Sequence, residues 1–253
     1  MTARSAYYAM IIVDIERFGQ RKNPDQQWLR QQMYDVLARA ATQAGIPWSD
    51  CHRSDRGDGV IILIPASVAK EDITEGFIRE LNTELGIYAR RSAASVAMRM
   101  RVALHAGDVV RDEQGWVNTE LNTACRLVDL PALRDALAEV PSARLALIVS
   151  DAWFQAVVRH DPGAVDHRGY RQVPISVKEL DDWAWIHVPG QPSANVPSAP
   201  DPVRVPEAPA EDGTAHGGTT TLNFFSGVRA DTIVGRDQIN HHTGDVTPRQ
   251  DRR

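Results

Sequence analysis

Residues 54–65, SDRGDGVIILIP, set Asp58 between two glycines and follow it at once with an unbroken apolar run. The run has strand length and no polar alternation, the pattern of a strand buried on both faces. The glycines before it mark a tight turn, and a carboxylate flanked by glycines sits where side chains do not crowd it. Residues 8–15, YAMIIVDI, repeat the pattern and end in acid at Asp14. If the two strands are neighbours, the carboxylates of Asp14 and Asp58 converge at one end of a sheet.

Outward from these strands, helix and strand signals alternate. Residues 26–45 place Leu29, Met33, Val36, Leu37 and Ala40 on one helical stripe and reach a C-cap candidate at Gly45. A second helix carries Ile73, Phe77, Leu81 and Leu85 at steps of four. In MRMRVALH, residues 98–105, Met98, Met100, Val102 and Leu104 share one strand face, and Arg99, Arg101 and His105 take the other. Residues 106–117 read as a hairpin, residues 119–130 as a helix halted by Pro131, and residues 143–150 as a strand. Residues 151–160 read as a helix, and residues 173–189 as one or two strands. The order βαββ followed by αβ predicts an α+β fold, a mixed sheet with helices on one face.

Composition limits the rest. With 253 residues, 43% hydrophobic and 24% charged, the chain can fill one core and carry an accessory segment. A net charge of -5 gives no general reason to expect nucleic acid or an anionic membrane as partner. Cys51 and Cys125 make no disulfide scaffold and suit a reducing compartment. The first apolar run is interrupted by Asp14 and Glu16, is too short to span a bilayer and lacks a cleavage site, so a cytoplasmic location is expected. Composition shifts near Pro189, dividing the chain into a folded domain over 1–189 and a flexible Pro/Ala/Gly-rich linker over 190–218. The last segment, 219–253, bears Phe224, Phe225, Val228, Ile233, Val234 and Ile239 and reads as a short β-like docking segment or hairpin.

Two constellations carry chemistry. Hard divalent cations take a few carboxylate oxygens together with substrate phosphates, which suits Asp14 and Asp58, and Gly57 and Gly59 would let a triphosphate approach the backbone. Read alone, RGDG also fits an ordinary Asp-Gly hairpin turn. Asn122 and Arg126 stand at i and i+4 and project from one helical face, where a guanidinium and an amide can hold a phosphoryl group and a ribose, or simply face solvent. Arg101 and Lys178 are open to the same two readings.

Their order along the chain is more specific than any one of them. IIVDIERFG, RGDGVIILIP, MRVALHAGDVV, VNTELNTACRLVDLP and VPISVKEL together resemble the class III nucleotide cyclase homology domain over most of residues 8–189. The resemblance implies a ferredoxin-like, palm-type mixed sheet with helices packed on it, a nucleoside triphosphate substrate and two Mg²⁺ or Mn²⁺ ions per site. It implies that Asp14 and Asp58 are metal ligands with the Ile15 carbonyl nearby, and Phe18 matches the same motif. Arg101, followed by His105 and Gly107, is implied to touch the triphosphate, and Lys178 to contact phosphate. Asn122 and Arg126 are implied to orient the ribose and stabilise the transition state from the second subunit of a homodimer. Asn118 stands where most members carry Gly, and Ser54 and Gly115 stand where the base is read, so neither adenine nor guanine selection follows. A purine held loosely, a pyrimidine, or binding without turnover all remain open. The contrasting function is a cyclase-like dimer that serves as a nucleotide-binding scaffold and recruits an effector protein through 219–253.

Overall fold

β1 (Ser5–Ile15) is an interior strand of the sheet, and its sequence explains why: from Ala9 onward every residue is buried, so both strand edges and both faces are covered. In the computed structural model, which describes residues 4–113, 115–160, 169–177 and 180–191, β1 pairs antiparallel with β3 (Gly59–Pro65) and with β4 (Met100–Arg111). β2 (His52–Asp55) forms a hairpin with β3, and β5 (Trp116–Val117) folds back on β4. β4 runs parallel to β6 (Leu145–Ser150), and β8 (Leu180–His187) with β7 (Arg171–Val177) closes the far edge. The strand order among the described residues is β2-β3-β1-β4-β6-β8-β7, a mixed α+β sheet as expected.

The helices lie on both faces, which corrects the expectation of one. α1 (Asn23–Gln43), α2 (Ile78–Ala89) and α5 (Asp151–Ala156) pack over Ile11, Val13, Ile62 and Val102. α3 (Thr119–Val128) and α4 (Pro131–Ala138) pack over Met10, Ile12, Leu63 and Ala103. The reason lies in the strands themselves: an apolar run without alternation exposes oily surface on both sides until both are covered. Pro131, expected to stop a helix, does so by opening the next one at its first turn, where its missing N–H costs nothing.

Gly45 ends α1 as expected, with φ +74 and with Ile46 N–H donating to the Ala41 carbonyl at 2.8 Å. The second helix begins differently, as a π-turn over Asp72–Phe77 that runs into α2. Ile73, Phe77, Leu81 and Leu85 are all buried. Residues spaced strictly by four outrun the 3.6-residue period of an α-helix, and a wider turn at the start keeps Ile73 and Phe77 on the same stripe. No helix among the described residues is long and apolar enough to cross a membrane. Lys178 lies outside the described residues, as do residues 192–218 of the expected linker and the whole of 219–253.

Candidate active site

The turn between β2 and β3 is built by its own residues. Asp55 accepts a hydrogen bond from the Gly57 N–H at 2.8 Å, and Arg56 N–H donates to the Gly59 carbonyl at 2.9 Å. Asp55 also accepts from Tyr34 Oη at 2.7 Å and pairs with Arg30 Nε at 2.8 Å, which fastens the turn to α1. Burial pulls the Asp55 carboxyl upward, but the hydrogen bonds from Arg30, Tyr34 and Gly57 outweigh it and hold the group below the usual carboxylate range. The same arrangement, burial first and the Asp55 carboxylate second, pushes the Tyr34 phenol up to about 12. Asp55 was missed in the sequence, although an Asp two residues before a Gly is a recognisable turn signal.

Each glycine beside Asp58 has a backbone reason. Gly57 has φ +87, in the left-handed region, and nothing stands near its missing side chain. Gly59 pairs with Asp14, and a Cβ there would collide with the Val13 carbonyl oxygen. The glycines therefore do not by themselves call for a ligand, although Asp58 between them is exposed and uncrowded.

Asp14, Ile15, Asp58 and Arg101 come together. Ile15 N–H donates to the Asp58 carbonyl at 2.9 Å, and Asp14 stands directly across from Arg101 in the β1–β4 ladder. By strand alternation Asp14 and Arg101 share the face covered by α3, and Arg101 Nη2 donates to the Asp14 carboxylate. Both side chains are 13% exposed, and Arg101 Nε is buried with no partner among the described residues. Burial raises the Asp14 carboxyl; Arg101 pulls it back, while Asp58 and Asp129 push it further up. Asp129, just past the end of α3, joins this electrostatic set without any signal in the sequence.

A small number of anionic oxygens from Asp14 and Asp58 suits Mg²⁺ or Mn²⁺, which keep most of their coordination for water and phosphate. A cation beside Asp14 and Asp58 would favour the ionised Asp14 that burial disfavours and offset the repulsion from Asp58, so the donor set fits the metals the resemblance implies. Among the described residues no group of three or more His, Cys, Asp or Glu side chains is arranged to hold a metal ion, so the pair would depend on substrate oxygens to complete the shell.

Beside the turn lies a cleft of about 640 Å³, lined by Phe18, Asn23, Gln26, Arg30, Tyr34 and Gly57. Phe18 opens the short helical turn that follows β1, and Arg17 before it reverses the chain in the left-handed conformation, at φ 56. Asn122 and Arg126 lie on α3, on the same sheet face as Asp14, and Asn122 is exposed. Between them in sequence, Cys125 Sγ lies 3.0 Å from Arg56 Nη1, which ties α3 to the turn that bears Asp58. The side-chain oxygen of Asn118 accepts from Thr119 N–H at 2.5 Å, so this residue, which stands where the resembled domains mostly carry Gly, caps the helix.

Ser54 is half-buried on β2, paired with Ile61, and so faces α3 as well. His52, two residues earlier on that face, has its ring 4.9 Å from Trp116, which follows Gly115. Tyr8 meets both rings edge-on, at 5.9 and 5.4 Å. Ser54 and Gly115, expected from the resemblance to stand where the base is read, lie two residues and one residue along the chain from His52 and Trp116.

No family model and no curated protein matches the chain. Solved structures do. The guanylyl cyclase Cya2 matches with a TM-score of 0.52 at 15% identity over 74% of this chain and 95% of that one. An adenylate/guanylate cyclase/hydrolase from Silicibacter pomeroyi matches with a TM-score of 0.52 at 18% identity over 74% of this chain and 99% of that one. A bacterial light-regulated adenylyl cyclase, of which 52% is covered, matches with a TM-score of 0.50 at 12% identity. Strand order, helices on both faces and these structural likenesses agree: the chain has the fold of class III nucleotide cyclase catalytic domains.

Proposed function

We propose that the protein is a nucleotide cyclase, a phosphorus–oxygen lyase that converts a nucleoside triphosphate to a 3′,5′-cyclic nucleotide and pyrophosphate in intracellular signalling. The observation that carries this reading is the meeting of Asp14, Asp58 and Arg101 at one end of the sheet. Two Mg²⁺ or Mn²⁺ ions held by Asp14 and Asp58, with the Ile15 carbonyl, would lower the pKa of the ribose 3′-hydroxyl and neutralise the triphosphate. Arg101, whose Nε has no partner among the described residues, binds phosphate oxygens, and Lys178 does the same. Asn122 orients the ribose, and Arg126 stabilises the charge that develops on the phosphoryl group as the 3′-oxygen attacks in line.

Asn122 and Arg126 act on the Asp14–Asp58 site of a second subunit, so the working unit is a cytoplasmic homodimer with two sites at its interface. Ser54 and Gly57 line the nucleotide. With neither a carboxylate nor a lysine at Ser54 or Gly115, the base is held mainly by surface contact near His52 and Trp116 rather than by its edge. The segment 219–253 serves to recruit an effector protein.

The test is a product assay with ATP, GTP, CTP and UTP separately, each with Mn²⁺ or Mg²⁺, read by mass spectrometry beside Asp58→Ala. A cyclic nucleotide that disappears in the variant, while the variant keeps its thermal unfolding midpoint, supports the reading and names the base. No product from any nucleotide sinks the enzyme reading. Mn²⁺-dependent nucleotide binding retained without turnover would favour the regulatory scaffold instead.

A further inference from the structure

The strand that carries Arg101 has a second polar residue on the α3 face, and its contacts are complete. His105 is 5% exposed, its Nδ1 lies 2.8 Å from Ser150 Oγ, and its Nε2 lies 2.7 Å from Glu120 Oε2. Ser150 also accepts from Trp153 N–H at 3.2 Å as the N-cap of α5. One proton arrangement serves every partner: Trp153 N–H donates to Ser150, the Ser150 hydroxyl donates to Nδ1, and Nε2–H donates to Glu120. The imidazole is thereby held in the sheet from one side and grips the first turn of α3 from the other.

Gly107 makes that grip possible. It lies two residues beyond His105 on the same face, and a Cβ there would run into Glu120 Cγ and stand 2.8 Å from Glu120 Cβ. The glycine leaves a channel along β4, and the Glu120 stem fills it on the way to the imidazole. Elsewhere α3 is held by the contact of Cys125 with the exposed Arg56 side chain and by Leu121, Ala124, Leu127 and Val128, an apolar stripe that chooses the buried face but by itself resists small rotations about the helix axis only weakly. A directional hydrogen bond to a buried ring does resist them. Asn122 follows Glu120 by two residues, and Arg126 lies four further along the helix, so a rotation of α3 moves both.

We propose that Glu120, through His105, is a positioning residue that sets the rotation of α3 and thereby aims Asn122 and Arg126 at the nucleotide. The proposal rests on the cyclase reading above. Glu120 touches neither substrate nor metal; Asn122 and Arg126 remain the groups that do.

The experiment compares Glu120→Ala, Glu120→Gln and Gly107→Ala with the wild-type full chain in steady-state turnover and thermal unfolding. Glu120→Ala is expected to lower kcat about 10- to 100-fold while KM and the unfolding midpoint stay near wild type, because misaimed groups cost rate more than binding. Glu120→Gln, whose amide oxygen still accepts from Nε2–H, is expected to recover most of the loss. Gly107→Ala closes the channel and should reproduce the alanine phenotype; should it fail to fold, the Glu120 pair decides alone. An unchanged kcat in Glu120→Ala, a loss that only follows the unfolding midpoint, or a Gln variant as poor as the Ala variant overturns the positioning role. A wild-type chain that cyclises none of the four nucleotides overturns the cyclase reading and the positioning role with it, an outcome separate from an active enzyme indifferent to Glu120.

Discussion

Asp58 owes its position to two glycines that are needed for unlike reasons, and substitutions separate them. Gly59→Ala drives a Cβ into the Val13 carbonyl in a central strand pair, where neither backbone can yield, and should cost about 3 kcal/mol or more. Gly57→Ala meets open space and pays only for its left-handed backbone, about 1 kcal/mol. Urea unfolding of the two variants checks the difference; equal costs would show that the close approach of β1 and β3 is not what requires Gly59. The Asp14–Arg101 pair belongs to the same scale. Eighty-seven positions separate the two residues, and only strand register makes them neighbours.

At the scale of elements, the seam between α1 and α2 is closed by Glu84, which is 4% exposed and accepts from Arg39 Nε at 2.7 Å and Gln43 Nε2 at 2.9 Å. Burial alone would raise the Glu84 carboxyl, but these donors outweigh it and hold it below its ordinary 4.5. Its contribution to stability is therefore present above pH 4.5 and is lost as the pH falls through the lowered folded value. Glu84→Gln should cost about 1–2 kcal/mol at neutral pH and flatten the acid limb of the stability curve. Unfolding midpoints measured downward from about pH 5 check this, since the wild type should lose more than the variant. A parallel decline would show that other carboxylates govern the acid limb. The π-turn before α2 and the glycine channel under α3 are further cases in which one turn of helix answers to the surface it packs on.

At the scale of the whole molecule, the proposed site needs two chains, and mixing defective chains tests that directly. Asp58→Ala leaves Asn122 and Arg126 intact, whereas Arg126→Ala leaves both aspartates intact. Each homodimer should be inactive, and an equimolar mixture allowed to exchange should regain about a quarter of wild-type turnover, because about half of the dimers are mixed and each of those holds one complete site. No recovery after verified exchange would place Asp58 and Arg126 in the same chain's site.

Much of this was legible in the sequence, because strand and helix periods are local properties. The continuous runs at 8–15 and 59–65, the alternation at 98–105 and the cap at Gly45 identified the elements, and two acids at strand ends marked where a cation could sit. Those same runs, buried on both faces, already required cover on both sides, a consequence that became plain only with α3 and α4 in place. Tertiary structure alone decided that β1 lies between β3 and β4, that Arg101 meets Asp14, that Asp129 adds its charge nearby, and that Glu120 reaches His105 over Gly107. The physical reason is that a residue's period and polarity act within a few positions of chain, whereas register, a missing Cβ and a buried charge take effect only when distant segments are packed against one another.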